Sequence, residues 1–481
     1  MVGYHPVKWC VVSTDEVIAR GKRLDASAFN VEARNAKAAI DDGKYPLTTI
    51  CGDDGLATAF VGKRFKRIWV EKSDYPIYQP SEITKVSPSP DGWLSAKTQT
   101  DLDSLRVHKS QILLTCSGTI GKAAFVSDTL DGKIFSHDLL RIDCKRQDDA
   151  GYVYAYLKSS VGNKMLLTNS YGAVITHVEP EHLNSIPIPD APEEIKRKIT
   201  DLVVRSYELR DESNAFIDKA TTMIMEALKL PPIEKIGKTD ATSASLTEGV
   251  RLPRALTFSV SSDDLAGRLD ASYHVPIVKA VTDHLRRHAA EVATVADSRI
   301  SKDVVLPGRF KRIYVEEGYG TPFFSGRSIG ELDPSDKKYL SFARHEKRIQ
   351  TQLMIHEDMI LVTCSGSVGD VAFVPRHWDG WTMTHDIIRI VPKDGLSGFM
   401  YVWLQSQWAK SLIAAKAYGA VVQHIDMEHI SSIPVPLLKD KVVQNEINAL
   451  ALVANEKRFE AYNLEQQALA VMEREVLCPT M

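Results

Sequence analysis

No apolar run in the 481 residues approaches the roughly 20 needed to cross a bilayer. The six cysteines, Cys10, Cys51, Cys116, Cys144, Cys364 and Cys478, form no C-x-x-C pair, so zinc ribbons, dithiol redox centres and a disulfide framework are not indicated. Charge of one sign is also missing: the net charge is −3, and any nucleic-acid binding has to gather its basic residues on one face. The opening MVGYHPVKWCVV has neither the basic and apolar regions nor the cleavage site of a secretory leader, which makes the cytoplasm the expected location. There is no N-P-P-[YF] or D-P-P-[YF] tetrapeptide of an adenine methyltransferase and no glycine fingerprint for S-adenosylmethionine.

What the chain does have, it has twice. YGAVITHVEPEHLNSIPIP at 171–189 and YGAVVQHIDMEHISSIPVP at 418–436 agree at 11 of 19 positions. RLDAS occurs at 23–27 and 268–272, and FKRIWVE at 65–71 returns as FKRIYVE at 310–316. LLTCSGTIGKAAFV at 113–126 returns as LVTCSGSVGDVAFV at 361–374, and HDLLRI at 137–142 as HDIIRI at 385–390. A repeat of this length is a domain rather than a solenoid turn. Within each copy the TCSG block reads as strand, turn, strand, with Ser117, Gly118 and Gly121, and then Ser365, Gly366 and Gly369, as structural turn residues. KIFSHDLLRI reads as a further alternating strand, whereas YVYAYLKSS at 152–160 and MYVWLQSQ at 400–407 read as helices.

After each I-P-x-P the pattern becomes helical. In the first copy Asp190, Pro192 and two glutamates announce a long helix with Ile195, Ile199, Leu202, Ser206, Leu209, Ser213, Phe216, Ala220, Met223 and Ala227 on one stripe. In the second copy Ile447, Leu450, Ala454, Ala461, Leu464, Ala468 and Val471 form a weaker stripe interrupted by Lys457. Steps of three and four are the mark of helices packed along their length. The fold class is therefore α+β, with a first mostly-β domain at 1–190, a long helix at 191–230, a polar linker at 231–262, a second domain at 263–437 and a second long helix at 438–477.

Three catalytic readings follow from isolated motifs. Cys116 and Cys364, followed by His137 and His385, could form thiol–imidazole pairs of a cysteine hydrolase, although a cysteine inside an apolar strand is usually a small buried hydrophobe. GTIGKA falls short of a phosphate loop, with Cys116 and Ala123 at positions that need glycine and a hydroxyl. PDAPEEIK places Asp190, Glu194 and Lys196 in the order of a metal-dependent nuclease, but the second copy lacks the acids and helix-start chemistry explains them better. No metal site is assigned, and the chain reads as non-catalytic.

The domain–helix–linker–domain–helix order, the SGTIG/SGSVG turns and the YGAV…H…IP-x-P runs together resemble the specificity (S) subunit of type I restriction–modification systems, over about 23–473. The resemblance implies two target-recognition domains with an internal pseudo-two-fold, joined by helices paired as an antiparallel coiled coil. It further implies recognition of a bipartite, asymmetric site in double-stranded DNA. Its expected partners are adenine-N6 methyltransferase (M) subunits, two of them, and a restriction (R) subunit; S-adenosylmethionine, ATP and magnesium would belong to those partners and not to this chain. A specificity module of another defence system or of a methylation-only complex is the alternative. Lys63, Arg64, Lys66 and Arg67, recurring as Arg309, Lys311 and Arg312 beside Trp69 and Tyr314, are the candidate phosphate contacts, against the alternative of a solvated face. Base-reading residues are expected where the copies differ, at 72–111 and 317–356; candidates are Gln79, Lys85, Lys97 and Gln99, then Arg327, Lys337, Lys338 and Arg344. His177 and His424, with Tyr171 and Tyr418, are read as scaffold, because identity between copies marks what both must keep.

Overall fold

The computed structural model describes residues 9–19, 22, 24, 29–168, 177–233, 258–265, 267–419 and 421–477. Most of the first RLDAS, Tyr171 with the first YGAV, most of the 231–262 linker and Cys478 lie outside them. The chain divides into two compact units, Met1–Asp211 with Glu460–Met481, and Glu212–Phe459.

Each unit contains the same three sheets. In the first, Ala57–Val61, Leu139–Cys144, Ile112–Thr115 and Ala123–Phe125 form one antiparallel sheet in that spatial order. A second sheet runs Trp69–Val70, Gly92–Leu94, Pro76–Tyr78 and Ile134–Phe135, its last pair parallel. Leu47–Thr49 pairs with Pro187–Pro189 in a third. The second unit repeats this with Ser301–Val305, Ile387–Pro392, Ile360–Thr363 and Val371–Phe373; with Tyr314–Val315, Lys338–Ser341, Gly320–Phe324 and Thr382–Met383; and with Glu291–Thr294 against Pro434–Leu437. The expected single strand over KIFSHDLLRI is two strands, Ile134–Phe135 and Leu139–Cys144, in different sheets. His137 and Asp138 occupy the crossing, because a strand that changes sheets needs a break in the ladder.

The central strands, over Ile112–Thr115 and residues 139–142, are buried on both faces, since one face meets the second sheet and the other the helices; Ile112 to Leu114 are all fully buried, whereas Phe60 and Val61 on the edge strand are exposed. Gly118 and Gly121 take φ of +71° and +90°, and Gly366 and Gly369 take +78° and +89°, a region that costs other residues about 1 kcal/mol or more. Behind the sheets lie the helices Ala150–Lys158 and Ser397–Gln405. A Cβ at Gly151 would come within 2.5 Å of the Thr200 backbone, and one at Gly398 within 2.4 Å of the Asn448 carbonyl, so glycine lets each of these helices lie directly on a long helix. The two helices are fixed together by the same kind of bond in both units: Thr200 Oγ1 accepts from Tyr152 N at 3.2 Å, and Asn448 Oδ1 accepts from Phe399 N at 3.1 Å.

The long helices are Glu193–Ala227 and Lys441–Val471, the latter running on through Met472–Leu477 in a wider turn. Both unit boundaries fall inside them, so each unit holds a segment of each. In the first unit the segments run antiparallel, as Lys198–Glu475 and Arg210–Glu465 show at 2.7 and 2.6 Å. In the second, Lys219–Glu446 at 3.4 Å and the Lys457–Glu212 pair show the same. Ser206, Ser213 and Ala220 on one helix and Ala454, Ala461 and Ala468 on the other are fully buried at steps of seven, and small residues at that period bring backbones close. Ser206 Oγ reaches the Ala461 carbonyl at 2.7 Å. The helices also bury a second face that the stripe did not include: Val203 and Tyr207 in the first unit, Ile217 and Ile224 in the second, each inside its unit's core.

Candidate nucleic-acid interface

The basic loops connect the first sheet of each unit to the second, from Val61 to Trp69 and from Val305 to Tyr314. Phe65 and Phe310 turn inward against the hydrophobic core, and that anchor throws the flanking residues outward. Lys63, Arg64 and Lys66, and Arg309 and Lys311, are exposed, whereas Arg67 and Arg312 are half-buried. Exposed apolar and aromatic side chains sit beside them at matched positions: Ile68 and Ile313 are each 41% exposed, Trp69 48% and Tyr314 40%. Arg67 lies over the Trp69 ring at 5.9 Å and Lys338 over Tyr314 at 5.1 Å, so both faces combine cations with a flat apolar surface.

The remaining polar candidates separate into three groups. Lys97 and Gln99 follow Gly92–Leu94, the strand paired with Trp69–Val70, and Ser95 N bonds to the Ile68 carbonyl at 2.8 Å, which places them at the basic-loop end of the sheet. Arg344, exposed on the helix Phe342–Arg348, is at the same end of the second unit, since Ser341 N reaches the Ile313 carbonyl at 2.9 Å and Ile313 N reaches His345 Nε2 at 3.2 Å. Gln79 and Arg327 lie past the opposite end, after Pro76–Tyr78 and Gly320–Phe324, and Gln79 donates to Asp91 at 2.7 Å. Lys85 and Lys337 are held by acids of their own segments, Glu82 and Asp333, each at 2.5 Å.

A histidine–aspartate pair at each sheet crossing faces the basic loop, and the doubled HD of HDLLRI and HDIIRI is the signal that could have marked it. His137 Nε2 is 3.3 Å from Asp138, and His385 Nε2 is 3.3 Å from Asp386. Arg312 donates to His385 Nδ1 at 3.2 Å and to Thr384 Oγ1 at 3.1 Å. Just behind, Arg141 and Arg389 are buried without a carboxylate partner among the described residues. Their guanidinium groups donate to main-chain carbonyls instead: Arg141 to Leu139, Leu105 and Phe135, and Arg389 to Ile387, Leu353, Met383 and Thr384. Burial lowers both, Arg389 to about 9. These arginines knot the crossing to the segments around it.

The catalytic motifs resolve into structure. Burial raises the Cys116 thiol to about 11 and the Cys364 thiol to about 12, with Asp138 and Asp386 adding to the effect, so neither is a thiolate nucleophile at neutral pH. The turns after them close on themselves: Thr115 N and Gly121 N bond to the Lys122 and Thr115 carbonyls, and Thr363 N and Gly369 N to those of Asp370 and Thr363, which occupies amides that a phosphate loop would offer. Lys196 is enclosed by Asp190 at 2.7 Å, Asp149 at 3.4 Å and Glu193 at 3.7 Å, an anchor for the start of its helix. The backbone of His177 bridges to Ser117 and that of His424 to Ser365, beside Val178 N to Cys116 O and Ile425 N to Cys364 O. Arg268 of the second RLDAS grips Asp270 at 2.6 Å and the carbonyls of Lys416 and Ala417 at the end of the helix Gln407–Lys416. Among the described residues no three His, Cys, Asp or Glu side chains group as a metal site, and no helix is long and apolar enough to cross a membrane.

Neither the protein-family models nor the curated proteins contain a match to this chain. Solved structures do match along its length. A type I restriction–modification S subunit from M. genitalium is 14% identical with a TM-score of 0.34, over 91% of this chain and 97% of that one. An HsdS subunit from Thermoanaerobacter tengcongensis is 14% identical with a TM-score of 0.27, over 90% of this chain and all of that one. A chain from a study of type I restriction–modification complex assembly is also 14% identical, with a TM-score of 0.28, over 90% and 98%.

Proposed function

We propose that this chain is the DNA-recognition subunit of a type I restriction–modification complex, in which each unit reads one half of a bipartite, asymmetric duplex site. The observation that carries the reading is the matched pair of outward basic loops, each set beside an exposed aromatic ring on the same three-sheet framework. Duplication within one chain supplies two reading heads that can diverge separately, where a homodimer would be confined to a palindrome. The long helices act as the spacer between the half-sites and give two equivalent docking places for adenine-N6 methyltransferase subunits, with a restriction subunit added to these. S-adenosylmethionine, ATP and magnesium serve those partners, and this chain contributes recognition alone. Lys97, Gln99 and Arg344 are the strongest base-reading candidates, because they stand at the basic-loop end of their sheets.

Replacing Lys66, Arg67, Lys311 and Arg312 by alanine is expected to weaken duplex binding about equally on all sequences and to flatten its salt dependence, by about 0.9 in slope for each phosphate that is no longer neutralised. Fluorescence anisotropy across a salt series measures both. A changed sequence preference at constant slope would reassign these residues to base reading. Magnesium-dependent cleavage by the purified chain, abolished in Asp190→Ala, would overturn the non-catalytic reading.

A further inference from the structure

The hydrogen bond between Arg312 and His385 constrains the protonation state of the imidazole. Arginine has only donors, so Nδ1 must accept, and a histidine that accepts at Nδ1 while Nε2 faces Asp386 is neutral. Burial holds the imidazole below its ordinary value; Asp386 opposes this, and Arg312, Arg309 and Arg389 add to it. His137 is in the same position, lowered by burial, opposed by Asp138 and lowered again by Arg64 and Arg67. The first unit differs in two respects: among the described residues no hydrogen bond joins Arg67 to His137, Arg67 lying over the Trp69 ring instead, and where Thr384 accepts from Arg312 the buried hydroxyl of Ser136 has no partner among the described residues.

We propose that Arg312 and His385 form a proton-coupled phosphate site. A backbone phosphate of duplex DNA draws the Arg312 guanidinium off Nδ1, which takes a proton from solvent and donates to the same phosphate. Arg67 and His137, with Ser136 beside them, form the equivalent site of the first unit. The inference rests on the DNA-recognition reading and adds a regulation to it. A phosphate brings negative charge to an imidazole that had been facing arginines, so the bound form holds its proton to a higher pH than the free form. Binding therefore takes up protons, is strongest below the free-state value, and weakens as pH rises from there through the bound-state value.

The test uses the full chain and a labelled pool of random-sequence duplexes, because phosphate contacts do not depend on sequence. The dissociation constant is measured from about pH 6 to about pH 8.5 at fixed ionic strength, around the ordinary histidine range. The wild type should weaken several-fold across this range, with about tenfold per pH unit as the ceiling for each proton. The double variant His137→Gln, His385→Gln should lose the slope and bind at every pH as the wild type does at the alkaline end. Asp138→Asn with Asp386→Asn should keep the slope but move it to lower pH, since the carboxylate that favours the imidazolium is gone; a bracing role for the histidines would not move it. Binding with no slope in the wild type, or with the same slope in the histidine double variant, overturns this inference alone. Absence of duplex binding at every pH overturns the DNA-recognition reading and this inference with it.

Discussion

In the first unit Arg210 meets a carboxylate; in the second its counterpart, Arg458, donates to two hydroxyls instead. Glu465, 1% exposed, takes Arg210 at 2.6 Å and Lys158 at 2.8 Å and accepts from Tyr154, whose hydroxyl lies 3.0 Å from that of Tyr207. Arg458 donates to Ser213 at 2.8 Å and to the Tyr401 hydroxyl at 3.3 Å, and Ile217 stands where the repeat would put the acid. The contrast recurs at the helix starts. Lys196 is locked among Asp149, Asp190 and Glu193, whereas Gln444 accepts from Leu438 N at 2.9 Å. It recurs again at the turns after Ala123–Phe125 and Val371–Phe373. Asp211 receives Ser127 Oγ, Thr129 Oγ1 and the amides of Asp128 and Thr129 in the first unit, whereas Phe459 stacks on His377 under Arg376 in the second. At the first two of these places the framework is held to its helices by ion pairs in one copy and by neutral contacts in the other; at the third the second copy adds a ring stack and a pair of Arg376 with Glu456 at 3.5 Å. The fold does not require the ion pairs, in keeping with the small net worth of a buried pair against a well-packed substitute.

That comparison breaks most readily at Glu465. Glu465→Ala leaves Arg210 and Lys158 buried without a counter-charge and should cost the first unit about 3–5 kcal/mol. Arg458→Met, which strands only two hydroxyls, should cost the second about 1–3 kcal/mol. Hydrogen exchange read separately over each unit measures the two, and equal costs would mean that the charge adds nothing special.

Acid should sharpen the contrast. Burial alone would raise the Glu465 carboxyl, but Lys158 and Arg210 hold it well below the usual carboxylate range. Its folded value therefore lies below the unfolded one, near 4.3, so its contribution is present above that pH and is lost as pH falls beneath it. Amide protection in the first unit should decline on acidification, and Glu465→Gln should shrink that pH dependence without altering that of the second unit. An identical acid profile in the variant would show that the carboxylate is not what titrates.

The smallest expected difference is between the basic loops, because Gly308 replaces the first of four cations. Alanine at Lys63, Arg64, Lys66 and Arg67 should flatten the salt dependence of duplex binding more than alanine at Arg309, Lys311 and Arg312, with about 0.9 in slope for each phosphate left without its cation. The reverse order would locate the stronger backbone grip on the second unit.

The repeated framework is legible in the sequence because duplication doubles every signal: the glycines of the TCSG turns and the seven-residue step of Ser206, Ser213 and Ala220 each stand out by returning. Tyr207, Ile217 and Ile224 escape a one-stripe template because it assumes a helix with one wet side, whereas these segments are covered by both a partner helix and a domain. Glu465 and Arg141 are illegible for a different reason. Charged residues read as solvated, and what makes them interior is a partner far away in sequence, 255 residues for Arg210 and Glu465, or carbonyls that no side-chain pattern encodes. At the interface the basic loops are legible as repeats, but the histidine–aspartate pair reads as part of a strand until the strand changes sheets.

The helix segment that ends the described chain has a consequence on the ribosome. Ala468, Val471, Met472, Val476 and Leu477 belong to the core that holds Ile112, Tyr154 and Val203. The domain begun first is therefore closed by residues made after the second unit, Glu212–Phe459, is already complete. During synthesis the first unit waits with an open seam, and a premature stop at Glu460 would injure the beginning of the protein and spare its middle.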